Sequence, residues 1–323
     1  MGCQPNAAGP ASRSAYREIG ITGRRGGDQS VLVCMPETAQ TREVWTSLAD
    51  ELGREFELIA LSVNDRDSAA SIAQGIECHR PAGLVLMNNP TVAAYRHYQQ
   101  SASGRRFPPA VIVMTSFLEA KRDWPRAATG ISYEVPLITV VTNLRKLVAK
   151  RIDRVGVVLR KPLSSFVDRQ AALAQLEQTH VIREMVSENP NSSEIKRALR
   201  QLKNRVDALW ILNDDRLLTG KLIAEGWLPA LNERPWVPNI VGAASLVSPA
   251  QSFGTFAVLP DHAALGVQAA NLVFDIADND WEVPTRSAEL PVSTTTTVDL
   301  PQVLERFALR EGALTQVDRI LEQ

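Results

Sequence analysis

Short apolar runs alternate with amphipathic stretches along most of this chain, and near residue 134 the alternation starts again. In the first series the apolar runs predict strands over 30–35, 58–63, 83–87, 110–114 and 130–133. Helical spacing predicts helices over 41–56, with Thr41 as cap, 68–78 and 91–100. The second series predicts helices over 135–149, 164–178, 192–204, 216–231, 260–276 and 301–308. Its strands are expected over 154–159, 181–186, 208–212, 237–241, 254–259 and 293–298. In this reading a Ser pair caps the 192–204 helix, and Pro260 and Asp261 open the 260–276 helix. The tail after Leu309 is read as helical, with Leu314, Val317, Ile320 and Leu321 on one side.

Apolar strands separated by amphipathic helices imply parallel sheets covered on both faces. Two such series imply an α/β protein of two doubly wound parallel-sheet lobes joined by a hinge. Residues 1–27 read as a flexible leader, polar and without period. We place 28–134 plus 246–285 in the N-terminal lobe and 135–245 plus 286–323 in the C-terminal lobe. In doubly wound sheets ligands sit beyond the carboxyl ends of the strands, where the strand order reverses. The candidate residues are therefore sought there.

Charge and motifs narrow the function. The net charge of −1 offers no field for wrapping nucleic acid, and no apolar run approaches the roughly 18 residues of a membrane span. Cys3, Cys34 and Cys78 are an odd count with neither disulfide-framework nor metal spacing. Cys34 lies in an apolar run and reads as a small buried hydrophobe. Gly2-Cys3 resembles the end of a bacterial lipobox, which makes Cys3 a candidate for lipidation; an accidental pair is the alternative. Gly220-Lys221 lacks the Ser or Thr of a phosphate loop, and neither G-x-G-x-x-G nor G-x-S-x-G occurs. His79, His97, His180 and His262 show no metal-ligand spacing and read as surface residues. No enzymatic activity and no cofactor is expected from these patterns.

The second half carries a resemblance. Ala128-Thr129-Gly130-Ile131-Ser132 leads through Tyr133-Glu134-Val135-Pro136 into a helix, and Val155–Leu159 follows a basic helix end. Val206–Asp215 reads Val-Asp-Ala-Leu-Trp-Ile-Leu-Asn-Asp-Asp, and Gly254–Asp261 reads Gly-Thr-Phe-Ala-Val-Leu-Pro-Asp. Leu265-Gly266, Gln268-Ala269-Ala270 and Val298-Asp299-Leu300 complete the series. In order and spacing these segments resemble the ABC-transporter substrate-binding proteins of the type I periplasmic binding fold, the tryptophan- and tyrosine-binding group, over about residues 30 to 309. Three loops depart from that pattern. Met35-Pro36-Glu37-Thr38 replaces a His-Pro-containing loop, Leu159-Arg160-Lys161-Pro162 is more basic than an Asn-rich turn, and Gly242-Ala243-Ala244 stands for Gly-Ser-Glu.

The strand ends supply the candidate ligand-binding residues. Arg160 and Lys161 are cations suited to a carboxylate or phosphate, or else solvated loop charges. Asn88, Asn89, Thr115 and Ser116 fix a ligand's polar atoms or cap helices. Ser132 and Tyr133 lie where the chain leaves the first lobe, and Tyr133 either stacks on a ring or covers the hinge. Asn213, Asp214 and Asp215 divide between accepting from an ammonium and capping. Asp261 faces the ligand or caps its helix, and Pro36, Glu37 and Ala243 complete the set by position. The resemblance implies an extracytoplasmic solute-binding protein that closes on an amino acid or small organic anion for an ABC permease. A sensor module of the same fold, signalling to a membrane protein, is the other reading.

Overall fold

The computed structural model describes residues 17–23, 29–63, 68–102, 106–121, 123–233, 237–247, 253–283 and 287–322. In chain order the first elements are β1 (Arg17–Gly23), β2 (Ser30–Met35), α1 (Ala39–Leu52), β3 (Glu57–Ser62), α2 (Ser68–His79), β4 (Gly83–Met87), α3 (Asn89–Ser101), β5 (Ala110–Thr115) and β6 (Ala128–Ser132). Then come α4 (Leu137–Leu147), β7 (Arg154–Arg160), α5 (Ser164–Gln175), β8 (His180–Val186), α6 (Ser192–Leu202), β9 (Ala208–Ile211), α7 (Gly220–Leu222) and α8 (Leu228–Leu231). The last are β10 (Asn239–Val241), β11 (Phe256–Pro260), α9 (His262–Asp278), β12 (Ala288–Glu289), β13 (Thr294–Asp299), α10 (Leu300–Arg306) and β14 (Arg319–Leu321).

The chain divides into two units. The first runs to Tyr133 and takes in Asp261–Ser293; the second comprises Glu134–Pro260 and the segment from Thr294 onward. The chain thus crosses between units three times, at Tyr133/Glu134, Pro260/Asp261 and Ser293/Thr294. Residues 246–247 and 253–260, expected in the first lobe, lie in the second, where β11 pairs in parallel with β10 and antiparallel with β13. Residues 287–293, expected in the second, lie in the first, where β12 pairs with β6. Pairing between strands distant in sequence decides membership, and composition carries no trace of it.

In the first unit the sheet order is β1-β3-β2-β4-β5-β6-β12, parallel except for β1 against β3. Alternate residues of β2 enter different cores, as the two-residue period of a strand requires. Val31, Val33 and Met35 pack with residues of α1 and α9; Leu32 and Cys34 pack with residues of α2 and α3. Helices on both faces explain why β2 is apolar throughout. Gly266 of α9 allows close approach to α1, since a Cβ there would lie 2.4 Å from the Val44 carbonyl oxygen.

In the second unit the order is β14-β13-β11-β10-β9-β7-β8, parallel except for β11 against β13. One core gathers Val158, Leu209 and Ile211 with Ile195, Leu199 and Leu202 of α6 and the buried Trp227. Trp227 ends a five-residue π-helical turn, Ile223–Trp227, that joins α7 to α8 within the single helix expected over 216–231. Its indole N–H donates to the Leu217 carbonyl at 2.9 Å.

Five local expectations are corrected. The leader is not unstructured throughout: Arg17–Gly23 is an edge strand whose backbone pairs with β3. An edge strand needs backbone bonds more than an apolar face, and Ile19 and Ile21 remain exposed. The tail forms a 3-10 turn, Ala313–Gln316, and then β14, parallel to β13, in place of a helix. Pro260 ends β11 rather than opening a helix; Asp261 is the N-cap of α9 and accepts from the Ala263 and Ala264 amides. Thr38 caps α1 and Asn191 caps α6, in place of Thr41 and the Ser pair.

Candidate ligand-binding site

In each sheet the order reverses beside the first strand of its parallel series. The reversal lies between β2 and β4 in the first unit, and between β7 and β9 in the second. Each is the switch point at which doubly wound sheets bind ligands. The sequence candidates gather at the carboxyl ends of these strands and of their neighbours.

In the first unit, Pro36 and Glu37 follow β2. The Pro36 carbonyl accepts from the Thr41 hydroxyl at 2.5 Å and from the Thr38 amide at 3.1 Å. Thr38 and Thr41 also exchange bonds as a reciprocal cap, amide to hydroxyl in both directions, at 3.1 and 3.2 Å. Glu37 forms an ion pair with Arg17 of β1 at 3.2 Å. After β4, the Asn88 carboxamide accepts from the Thr91 amide at 3.0 Å and caps α3, and the Asn89 side-chain oxygen accepts from the Lys121 ammonium. Thr115 and Ser132 are buried, whereas Ser116 and Tyr133 are half-buried.

The backbone at these ends is strained. Asn88 stands at φ +94°, ψ 168°, Met114 at φ +55° and Phe117 at φ +54°. The Asn88 conformation belongs to a region that glycine alone adopts freely, and such residues concentrate where a binding or catalytic site over-determines the backbone. At Met114 the pairing of β5 with β6 also slips between Ile112 and Thr115. Nothing in the residue identities announces this strain.

Tyr133 and His262 lie side by side at the edge of the first unit, their rings stacked at 6.1 Å and only 5° from parallel. Tyr133 Oη is 3.0 Å from His262 Nε2, and His262 Nδ1 is 3.1 Å from Glu43 Oε2. A carboxylate accepts only, so Nδ1–H donates to Glu43, and in the neutral ring Nε2 accepts from the Tyr133 hydroxyl. His262, expected at the surface, is buried, and both its nitrogens are engaged. The relay joins residues 129 and 219 positions apart, and no local pattern encodes it.

In the second unit, Arg160 ends β7 and Asp214 follows β9. Arg160 Nε donates to Asp214 Oδ2 and Nη2 donates to Oδ1, both at 2.8 Å. Arg160 Nη1 adds a bond to the Glu188 carbonyl at 3.3 Å, and Asp214 Oδ1 also accepts from the Arg216 amide at 2.9 Å. The Asp214 side chain is 1% exposed and that of Arg160 is 15% exposed. Hydrogen bonding to Asp214 raises the Arg160 pKa above its ordinary value, against the opposing effect of burial. Arg160 is therefore already engaged within the protein, neither a solvated loop charge nor an unpaired cation. Lys161 and Asp215 are exposed beside this pair, and Asn213 and Ala243 are half-buried. Cys3 lies outside the described residues.

Comparison with known proteins bears on the fold. A Streptococcus pneumoniae ABC domain in complex with L-Trp matches at a TM-score of 0.57, covering 91% of this chain and 100% of that one at 13% identity. A Clostridium difficile substrate binding protein with adhesive properties, in its ligand-free open form, matches at 0.64, covering 91% and 99% at 13% identity. The chain has the type I periplasmic-binding-protein fold. This fold also serves regulators: a Lactococcus lactis transcription regulator matches at 0.51, covering 83% and 97% at 15% identity. No family model matches the sequence, and no curated protein matches it. Among the described residues no group of His, Cys, Asp and Glu is placed to hold a metal ion, and no helix is long and apolar enough to cross a membrane.

Proposed function

We propose that the protein is an extracytoplasmic solute-binding protein that takes a small polar ligand, an amino acid or small organic anion, at the carboxyl ends of its strands for delivery to an ABC permease. The observation that carries this reading is the cluster of left-handed, non-glycine backbone at Asn88, Met114 and Phe117, beside the switch point of the first sheet. Strain of that kind persists where a binding surface must hold one shape. The fold supports a binding role over a catalytic one. The L-Trp complex of a fold neighbour makes amino acids the first ligands to try. Because Arg160 is held by Asp214, the anion is expected to meet the exposed Lys161 first.

A thermal-shift screen of the chain, refolded to strip carried-over ligand, tests the proposal with amino acids, organic acids, sugars and nucleosides. Binding to the native state alone adds RT ln(1 + [L]/Kd), about 2.7 kcal/mol at a hundredfold excess over Kd. A shift confined to one chemical class supports solute binding, and closure on that ligand is expected as a smaller radius of gyration in solution scattering. A flat screen overturns this reading and favours the second, a sensor module that reports to a membrane protein. Attachment through a lipidated Cys3 accompanies either proposal and is tested by mass spectrometry of the protein from membranes.

A further inference from the structure

The two sheets end in four edge strands, β1, β12, β14 and β8. Three of them are blunted. β12 spans two residues, β14 spans three, and β1 carries an irregularity in register between Glu18 and Gly20. Short and bulged edges keep a sheet from pairing with another chain. β8 has neither device. It runs seven residues and pairs with β7 in unbroken register from His180 to Val186.

The outer side of β8 is defined residue by residue. The His180 amide donates inward to the Asp153 carbonyl at 2.7 Å. Backbone groups alternate sides along a strand, so those of Ile182, Glu184 and Val186 also point to β7. Those of Val181, Arg183 and Met185 point outward, and among the described residues no backbone group bonds to them. Their side chains lie on the α5 face, because Arg183 forms an ion pair with Asp168 of α5. Ala172 and Leu176 follow Asp168 at four-residue spacing, so one stripe of α5 borders the edge strand. Leu176 is 77% exposed there, and Met185 of β8 is 55% exposed.

We propose that β8 is a dimerisation edge, which pairs antiparallel with β8 of a second copy about a two-fold axis through Arg183 and joins the two copies of this sheet into one. The edge is complementary to itself in three respects. First, every outward residue meets an outward residue: Arg183 meets Arg183, and Val181 meets Met185 on both sides of the axis. Each such pair exchanges two backbone bonds, and the Val181–Met185 pairs are apolar. Second, charge balances at the axis. Like charges directly opposed destabilise a sheet, but each Arg183 brings its own Asp168, so two guanidinium groups meet two carboxylates. Third, the helices fit. Strands stand about 4.8 Å apart, and α5 connects β7 to the edge strand on each side of the axis. The two copies of α5 are then separated by about two strand spacings, which matches the roughly 8–10 Å between packed helices. The small Ala172 and the exposed Leu176 lie on the facing stripes.

The test is the oligomeric state of the full chain, measured by analytical ultracentrifugation from micromolar to submillimolar concentration, with amide hydrogen exchange as the local readout. A monomer–dimer equilibrium is expected, with the Val181, Arg183 and Met185 amides exchanging at least about tenfold more slowly in the dimer. Arg183→Pro removes an outward N–H and no bond to β7, and is expected to raise the dimer dissociation constant by roughly tenfold or more. Met185→Lys and Val181→Glu are each expected to weaken the dimer, and an equimolar mixture of the two to restore it, since the new charges then face each other across the axis. That mixture decides the matter if the proline variant does not fold. A monomer at every concentration overturns the proposal. So does a dimer that none of the variants weakens, which assigns the interface to another face. Protection of the three amides in the monomer overturns it too, by assigning the edge to another segment of this chain.

Discussion

Arg160 and Asp214 close a two-bond fork at 2.8 Å across the reversal of strand order between β7 and β9. The pair turns two residues that each have the chemistry of a ligand contact into a brace between adjacent strand ends. Fork geometry gives direction as well as attraction, since both donors lie in the guanidinium plane.

Arg160→Ala leaves the buried Asp214 carboxylate with the Arg216 amide but without its guanidinium. We expect a loss of about 1.5–3 kcal/mol in urea unfolding, the range for hydrogen bonds to charged groups. Arg160→Lys keeps the charge and loses the fork, and is expected to recover less than half of that loss. Equal stability of all three proteins would show that the fork contributes nothing.

The Tyr133–His262 contact is best measured by a double-mutant cycle. Tyr133→Phe and His262→Phe are each expected to destabilise the protein, with a coupling of about 0.5–1.5 kcal/mol, the net worth of one hydrogen bond. A coupling within error of zero would assign the pair to packing alone.

Asp207 gives a pH dependence with a definite sign. Burial opposes its charged form, but bonds from the Arg154 guanidinium and from the Arg154 and Asp153 amides outweigh it, and the folded pKa is lowered from 3.8. A lowered folded pKa contributes stability that is present above the unfolded value and is lost as pH falls through the folded one. The urea midpoint is therefore expected to fall below about pH 4, and to fall less steeply in Asp207→Asn. Parallel pH profiles for the two proteins would exclude Asp207 as the source.

Gly23 tests the edge strand. It stands at φ +97°, and a Cβ there would lie 2.3 Å from the Phe56 carbonyl oxygen. Gly23→Ala is expected to cost about 1–3 kcal/mol, the scale of a strained backbone residue. An unchanged thermal midpoint would mean that β1 is not held by this corner.

The strands were legible because burial on both faces makes them continuous apolar runs. Val31 through Met35 is the clearest, with all five residues at most 4% exposed. The candidate site was legible by position, since polar residues that follow such runs mark the carboxyl ends. Their partners were not. Asn88 and Asp261 are caps, Arg160 holds Asp214, and His262 stands between Tyr133 and Glu43. Edge elements were the least legible: β1 and β14 are held by backbone bonds to their neighbours, which leave no apolar pattern in the sequence.

The sequence by itself determined the alternation of strands and helices and the doubly wound character of both sheets. Hydrophobic periodicity is a local record of which faces avoid water, and it survives without knowledge of partners. The tertiary structure alone decided the points at which the chain changes units, the strain at Asn88 and Met114, and the pairing of Arg160 with Asp214. Hydrogen bonds and ion pairs act over a few ångströms in space between residues tens to hundreds of positions apart, and only the folded chain brings them within that reach.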